Sequence, residues 1–229
     1  DGRLGAFIRE HDLLVRDLET GEEWPVTTDG EEDYGYATNN AGWTRSERPV
    51  VRWSPDGRRL LTFRHDARGV GRMHLVGTAA GHPELESWRY PMPEDTVIFR
   101  IERLVADVSD PSDPDVTFLD MLPDPHRSSV CDHVYCAGTF TDVEWAADGE
   151  SVAFLSTARD HQQATLRVAD AATGRFLDVN DACCGMTGYA REELLRLTMA
   201  DIGAAAAAAK AARSYSRAVD EGCLRFETQ

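Results

Sequence analysis

The chain has 229 residues, of which 42% are hydrophobic, and this is enough apolar material for one large or two modest domains rather than a wholly disordered chain. Its 40 acidic and 24 basic residues give a formal net charge of −16, which disfavours nucleic acid and anionic lipid as partners. No stretch approaches the roughly 20 apolar residues of a membrane-spanning helix, and five irregularly spaced cysteines do not indicate a disulfide framework.

The first part of the chain, from residue 1 to about 170, alternates short apolar strands with turns. Residues 53–63 (WSPDGRRLLTF) recur as residues 145–154 (WAADGESVAF), and residues 14–21 recur as residues 166–174. Each Asp-Gly pair predicts a tight hairpin turn, because glycine readily adopts the positive φ that such a turn needs.

The spacing of these turns indicates repeated blades. The Asp-Gly turns at Asp56 and Asp148 are 92 residues apart, twice a period close to the roughly 40–50 residues of a four-stranded propeller blade. We therefore predict a mainly β fold with a partial β-propeller of three to four blades, fewer than most closed propellers have. An ordinary antiparallel sheet protein is the alternative.

The pattern changes to helices near residue 175. We predict a strand at residues 175–179, then a short helix capped by Asn180 that breaks at Gly188, and a second helix from Arg191. An alanine-rich helix near residues 204–218 and a last strand at residues 224–228 follow. We place the domain boundary at 170/171, giving domains 1–170 and 171–229, and the strand at 164–170 fits either one. Both ends look like parts of longer domains.

The first domain resembles the N-terminal β-propeller of dipeptidyl-peptidase-IV-type (S9 family) serine peptidases. Five segments carry this resemblance: 12–21 (DLLVRDLETG), 33–36 (DYGY), 51–57 (VRWSPDG), 88–93 (WRYPMP) and 156–160 (STARD). In that family the propeller is a non-catalytic gate over a separate α/β-hydrolase domain. The resemblance thus implies substrate gating and scaffolding, with a peptidase catalytic domain, which these residues do not contain, as the partner.

The second domain resembles the N-terminal part of a PAS sensor domain, an α+β fold. The resemblance rests on segments 174–182 (GRFLDVNDA), 186–189 (MTGY) and 192–195 (EELL). A PAS fold adds two strands after its last helix, so we expect a half-domain. We also expect residues 166–168 to pair with residues 175–179 as a hairpin, whichever family supplies them.

Serine-peptidase chemistry needs a nucleophile in a Gly-x-Ser-x-Gly elbow between a strand and a helix. The chain has no such pentapeptide, and its nearest approach, around Ser151, enters a predicted strand. No histidine follows His161. We therefore assign no catalytic residue and expect no peptidase activity from the chain itself, although the family it resembles is enzymatic.

Three other groups of residues suggest chemistry but have simpler interpretations. One loop contains the acidic residues Asp29, Glu31, Glu32 and Asp33. Their charge suits a substrate ammonium group, but a solvated loop is the simpler interpretation. Four possible zinc ligands have no standard spacing: His126, Cys131, His133 and Cys136. The adjacent Cys183 and Cys184 are expected to be buried as small apolar residues. We predict no metal site and no cofactor, and the cofactor-binding residues of a PAS cleft stay unassigned.

Two functions from different classes follow. The first is the non-catalytic propeller portion of a dipeptidyl-peptidase-IV-like peptidase joined to a partial PAS sensor, which implies an extracytoplasmic location. The alternative is a PAS-containing signal-transduction module in which the blades sense or bind and a signalling output domain follows, which implies a cytoplasmic location. In either case open strand edges favour self-association.

Overall fold

The computed structural model describes residues 2–38, 48–78, 81–125, 143–157 and 162–197. The strands in these ranges are β1 (Leu4–Arg9), β2 (Asp12–Asp17), β3 (Glu23–Pro25), β4 (Tyr34–Tyr36), β5 (Arg52–Trp53), β6 (Arg59–Asp66), β7 (Arg72–Gly77), β8 (Glu84–Arg89), β9 (Arg100–Asp107), β10 (Asp115–Phe118), β11 (Asp124–Pro125), β12 (Val143–Trp145), β13 (Ser151–Thr157), β14 (Ala164–Asp170) and β15 (Phe176–Val179). The helices are α1 (Asp181–Thr187) and α2 (Arg191–Leu194).

The strands form three antiparallel sheets and one separate hairpin. Blade 1 has the order β1-β2-β3, and blade 3 has the order β12-β13-β14-β15. In blade 2, the long strands β6 and β9 pair at the centre, with β4 and β5 on the free side of β6 and β10 and β11 on the free side of β9. The hairpin β7–β8, which we call the arm, is inserted between β6 and β9.

Blade 2 lies between the other two blades because its central strands alternate apolar side chains between two faces. Leu60 and Leu104 belong to the buried cluster shared with blade 1, which includes Leu13. Their neighbours Leu61 and Val105 belong to the cluster shared with blade 3. Side chains on a strand point alternately to opposite faces, so a strand that is buried on both sides is apolar at successive positions. This stacking gives a mainly β, partial propeller-like fold, as predicted.

The two predicted Asp-Gly turns are present and lie against each other across blades 2 and 3. Gly57 and Gly149 have φ values of 72° and 71°. Arg59, at the start of β6, donates from Nη1 to the Gly149 carbonyl at 2.9 Å. The indole Nε1 of Trp145 donates in the opposite direction, to the Arg52 carbonyl, at 3.0 Å. The repeated sequence therefore also supplies contacts between neighbouring blades.

The predicted hairpin across the domain boundary is confirmed. β14 pairs antiparallel with β15, with Arg167 opposite Val179, and the Gly174 N–H donates to the Asp170 carbonyl at 2.9 Å to close the turn. β15 is thereby the fourth strand of blade 3. The predicted boundary at 170/171 thus falls inside one continuous sheet.

The helical end of the described chain follows its predicted caps. The Asn180 side chain accepts from the Cys183 N–H at 3.2 Å, and Gly188, whose φ is 78°, is the C-cap residue that follows α1. Cys183 is buried with Val179 and Leu194. No helix in the described ranges is long and apolar enough to cross a membrane. The predicted alanine-rich helix and last strand lie outside the described residues.

Candidate functional site

Ser151 is the first residue of β13, and its backbone is paired with Asp170 on β14. It follows the Asp-Gly hairpin turn and enters a strand, as the sequence predicts. A serine in this position is not held on a strand-to-helix elbow, the geometry that exposes the nucleophile of an α/β-hydrolase. Its surroundings therefore give no reason to assign it a catalytic role.

A cleft of about 220 Å³ lies between the turns of blade 1 and the base of the arm. Its lining comes from blade 1, the loop before β4, the end of β6 and both arm strands: His11, Glu31, Glu32, Asp33, Tyr34, Gly35, Thr38, His65, Ala67, Arg72 and Arg89. The cleft therefore contains three of the four residues of the predicted acidic loop. The fourth, Asp29, is not among the lining residues.

Glycines allow the acidic loop to lie close to the turn between β1 and β2. A Cβ atom at Gly30 would lie 2.5 Å from the His11 carbonyl oxygen, and one at Gly35 would lie 3.1 Å from the same atom. The loop itself is closed by reciprocal backbone hydrogen bonds between Glu31 and Tyr34, of 2.8 and 2.9 Å. Only glycine fits the approach at Gly30, whereas a side chain at Gly35, which lines the cleft, would require the turn at His11 to shift by a few tenths of an ångström.

The carboxylates of the acidic loop have different environments. Asp33 is bound by Arg89, with Nη2 at 2.6 Å and Nε at 2.9 Å, and this hydrogen bond raises the pKa of the Arg89 guanidinium. Asp29 instead accepts from the Tyr36 hydroxyl at 2.6 Å. Glu31 and Glu32 are exposed. The exposed negative charge of the cleft lining therefore comes from these two glutamates.

Two histidines that the sequence did not single out also line the cleft. His65 is only 3% exposed, and burial lowers its pKa to about 4, so its imidazole is neutral at pH 7. Its ring centroid lies 5.2 Å from that of Phe99. His11 is exposed and has a φ of 77°. No short motif joins these histidines, since they come from different blades.

The cleft offers binding groups but no nucleophile of the usual kind. Its lining contains neither serine nor cysteine. The lining carries the exposed carboxylates of Glu31 and Glu32 and the exposed guanidinium of Arg72, besides the Asp33–Arg89 ion pair, so its charge is negative only by a small excess. This excess favours a positively charged or hydrogen-bonding group. The arrangement can hold a polar part of a ligand.

A second polar cluster lies buried between blades 2 and 3. Arg103 has a fully buried side chain and donates from Nε to Asp124 Oδ2 at 3.2 Å. Asp124 also accepts from the Ser156 hydroxyl, which in turn accepts from Arg167 Nη1 at 2.7 Å. The Arg103 guanidinium carbon lies 4.4 Å from the Phe154 ring centroid. This cluster joins β9 and β11 of blade 2 to β13 and β14 of blade 3.

The other candidate residues are the possible zinc ligands and the cysteine pair. The possible zinc ligands His126, Cys131, His133 and Cys136 lie outside the described residues, and within the described ranges no three His, Cys, Asp or Glu side chains are placed to hold a metal. Burial raises the pKa of the Cys183 thiol, as expected for a small apolar residue in a core, whereas Cys184 is half-buried.

Comparison with known proteins places the chain in a family. The family described as the dipeptidyl peptidase IV (DPP IV) N-terminal region matches residues 1–189, a range that includes part of the segments resembling PAS domains. No curated protein matches the chain.

Two solved structures are similar to the fold. Dipeptidyl peptidase 4 of Porphyromonas gingivalis has 17% identity and a TM-score of 0.56, over 77% of this chain and 24% of that one. A putative dipeptidyl aminopeptidase IV of Bacteroides ovatus has 18% identity and a TM-score of 0.48, over 78% of this chain and 28% of that one. The chain therefore spans about a quarter of the length of these proteins. By the family match over residues 1–189, the chain belongs to the family of DPP IV N-terminal regions.

Proposed function

We propose that the chain is the non-catalytic propeller portion of a dipeptidyl-peptidase-IV-like serine peptidase. Its role is to control access of substrate and to act as a scaffold for a separate catalytic domain. This proposal rests on the family match over residues 1–189, and the blade-like sheets of the structure agree with it. The absence of a Gly-x-Ser-x-Gly elbow from the sequence, and the strand position of Ser151, support a non-catalytic role.

The acidic cleft is the part of the propeller that we expect to contact a peptide. Glu31 and Glu32 are its exposed carboxylates, while the ion pair with Arg89 occupies Asp33. An exposed carboxylate and a substrate ammonium group attract each other by at most about 1 kcal/mol. The proposed contribution of each glutamate is therefore modest, of the order of a fivefold change in KM.

Activity measurements on two proteins test the proposal. The 229-residue chain is expected to leave an Xaa-Pro chromogenic substrate intact, whereas the full product of the gene is expected to cleave it. In that full product, Glu31→Gln with Glu32→Gln is expected to raise KM more than kcat changes. Glu22→Gln with Asp113→Asn, at two exposed positions outside the cleft lining, is the charge-matched control. Turnover by the 229-residue chain that Ser151→Ala abolishes would overturn the proposal.

A PAS signalling module is the second candidate, favoured by one observation. The described chain ends in a strand followed by two short helices, with Asn180 capping the first and with Val179, Cys183 and Leu194 packed together. This order agrees with the first half of a PAS unit. The gene sequence after Gln229 distinguishes the two functions: an α/β-hydrolase with a Gly-x-Ser-x-Gly elbow supports the peptidase, and a completed PAS unit with a kinase or cyclase supports signalling.

A further inference from the structure

One part of the cleft lining belongs to the arm. Arg72 on β7 and Arg89 on β8 stand opposite each other at the base of the arm, and both line the cleft. Other lining residues, among them His11, Glu31 and Glu32, belong to blade 1 and the acidic loop. The position of the arm relative to the blades therefore determines the width of the cleft.

The strands of the arm are not joined to a blade. Within the described strands, β7 and β8 pair only with each other. The outer half of the arm is solvated, since Leu75, Val76 and Leu85 are 50%, 54% and 65% exposed. An isolated two-stranded hairpin is only marginally stable in water. The order of the arm therefore depends on the contacts that hold its base.

Arg89 binds the base of the arm to two other segments. Its Nε and Nη2 donate to Asp33 Oδ2 at 2.9 and 2.6 Å, and its Nη1 donates to the carbonyl of Val70, in the connection before β7, at 2.7 Å. The side chains of Arg89 and Asp33 are 26% and 21% exposed. Within the described part of the chain, no other ion pair joins the arm to the blades.

Asp33 is held in place by the backbone of the acidic loop. Its φ is 65°, in the left-handed region that aspartate and asparagine enter more readily than most residues. Its carbonyl accepts from the Ala67 N–H at 2.7 Å, and the reciprocal bonds between Glu31 and Tyr34 close the loop around it. The loop therefore presents a fixed acceptor to Arg89, and asparagine can replace Asp33 with the same backbone.

The segments on either side of the arm allow it to turn. Gly69, with a φ of 72°, and Gly71 lie between β6 and β7, where the chain enters the arm. The chain leaves the arm through residues 90–98, most of which are exposed. Hinges are a few loop residues that absorb changes of φ and ψ, and glycine accepts such changes at little cost. The arm can thus move as a unit about its base.

We propose that the arm is a hinged wall of the cleft and that the Arg89–Asp33 ion pair holds it closed. While the pair is intact, Arg89 lies in the cleft lining and the arm is fixed to the acidic loop. When the pair separates, the arm turns about Gly69 and Gly71, and the cleft widens towards the solvent. The size of the ligand that the cleft admits is then set by one partly exposed ion pair rather than by the blades.

Hydrogen exchange of the 229-residue chain, measured by mass spectrometry, tests the role of the ion pair. Asp33→Asn keeps a side chain that tolerates the positive φ but removes the charge, and it is expected to accelerate exchange in β7 and β8 at least about fivefold. Asp29→Asn is the control, because it removes a carboxylate of the same loop that accepts from Tyr36 and not from the arm. An arm that exchanges no faster in Asp33→Asn than in the parent, or an equal acceleration in β6 and β9, would overturn the proposal.

Arg89→Gln separates the pair from its other side. It is expected to accelerate exchange in the arm at least as much as Asp33→Asn does, because the guanidinium bond to the Val70 carbonyl is lost as well. Asp33→Asn is expected to add no further acceleration in a chain that already carries Arg89→Gln, because the two side chains act through each other. Two accelerations that multiply would show that they act independently, and the proposal would be wrong.

Chemical modification of His65 tests whether the cleft opens. His65 lines the cleft and is 3% exposed, and its imidazole is in the neutral form that diethyl pyrocarbonate acylates. In Asp33→Asn it is expected to react faster by the same factor as exchange in the arm, whereas the exposed His82, between β7 and β8, is expected to react equally in both chains. An unchanged reaction at His65 would show that the arm loosens without opening the cleft, which contradicts the proposal. None of these measurements involves substrate, so their outcomes do not depend on the proposed peptidase function.

Discussion

Asp124 is the only carboxylate in the described part of the buried cluster between blades 2 and 3, so its neutralisation tests how these blades are joined. In Asp124→Asn the amide nearly matches the carboxylate in size but has no charge. The substitution would remove the anion that faces both Arg103 and Arg167. The Arg103 side chain is fully buried, and the Arg167 side chain is 9% exposed. Removing one partner of a buried ion pair costs about 3–5 kcal/mol, because the remaining charge is not compensated.

That cost is a large part of the 5–15 kcal/mol by which domains are usually stable. Urea unfolding, followed by tryptophan fluorescence, is expected to show a lower midpoint for Asp124→Asn with an unchanged slope. Asp113→Asn, which removes an exposed charge, is expected to change the free energy of unfolding by less than about 0.5 kcal/mol. A loss below about 1 kcal/mol for Asp124→Asn would refute the reasoning that this carboxylate stabilises the interface.

Three further predictions concern single positions. Gly174→Ala is expected to lower the free energy of unfolding more than Gly188→Ala. Both glycines have a positive φ, which costs another residue about 1–2 kcal/mol. Only at Gly174 would the new Cβ also lie 2.5 Å from a backbone oxygen, that of Phe118 on β10. Burial lowers the pKa of His65 from 6.5 to about 4, so its contribution to stability is complete above about pH 6.5 and is lost as the pH falls towards 4. His65→Gln is therefore expected to reduce the dependence of the unfolding free energy on pH between these values. An unchanged dependence would contradict this prediction. Trp145→Phe removes the indole donor between blades and is expected to cost about 1 kcal/mol in the same unfolding assay, whereas no loss would show that the hydrogen bond is not needed.

The blades could be predicted because their signals are local. An Asp-Gly pair between alternating apolar residues specifies a hairpin within about ten residues, so the turns at Gly57 and Gly149 are visible in the sequence. The hairpin between β14 and β15 is similarly local. The caps of α1, Asn180 and Gly188, are likewise residue types with one strong positional preference.

The cleft and the arm could not be predicted, because they depend on contacts between distant segments. Asp33 meets Arg89 only once β4 and β8 are both in place, 56 residues apart in the chain. His11 and His65 have no shared motif. The sequences of β7 and β8 resemble those of other strands in the chain. No feature of these sequences indicates that the two strands form a sheet separate from blade 2. Composition also gives no sign of the buried Arg103.

We propose that this propeller portion carries no catalytic serine and serves a peptidase domain elsewhere in the same protein. Labelling with a fluorophosphonate probe, which reacts with activated serines, tests it directly when the labelled residue is located by peptide mass spectrometry. We expect the full product of the gene to be labelled at one serine outside residues 1–229 and the 229-residue chain not to be labelled. Labelling within residues 1–229, or a full product with no reactive serine, would contradict it.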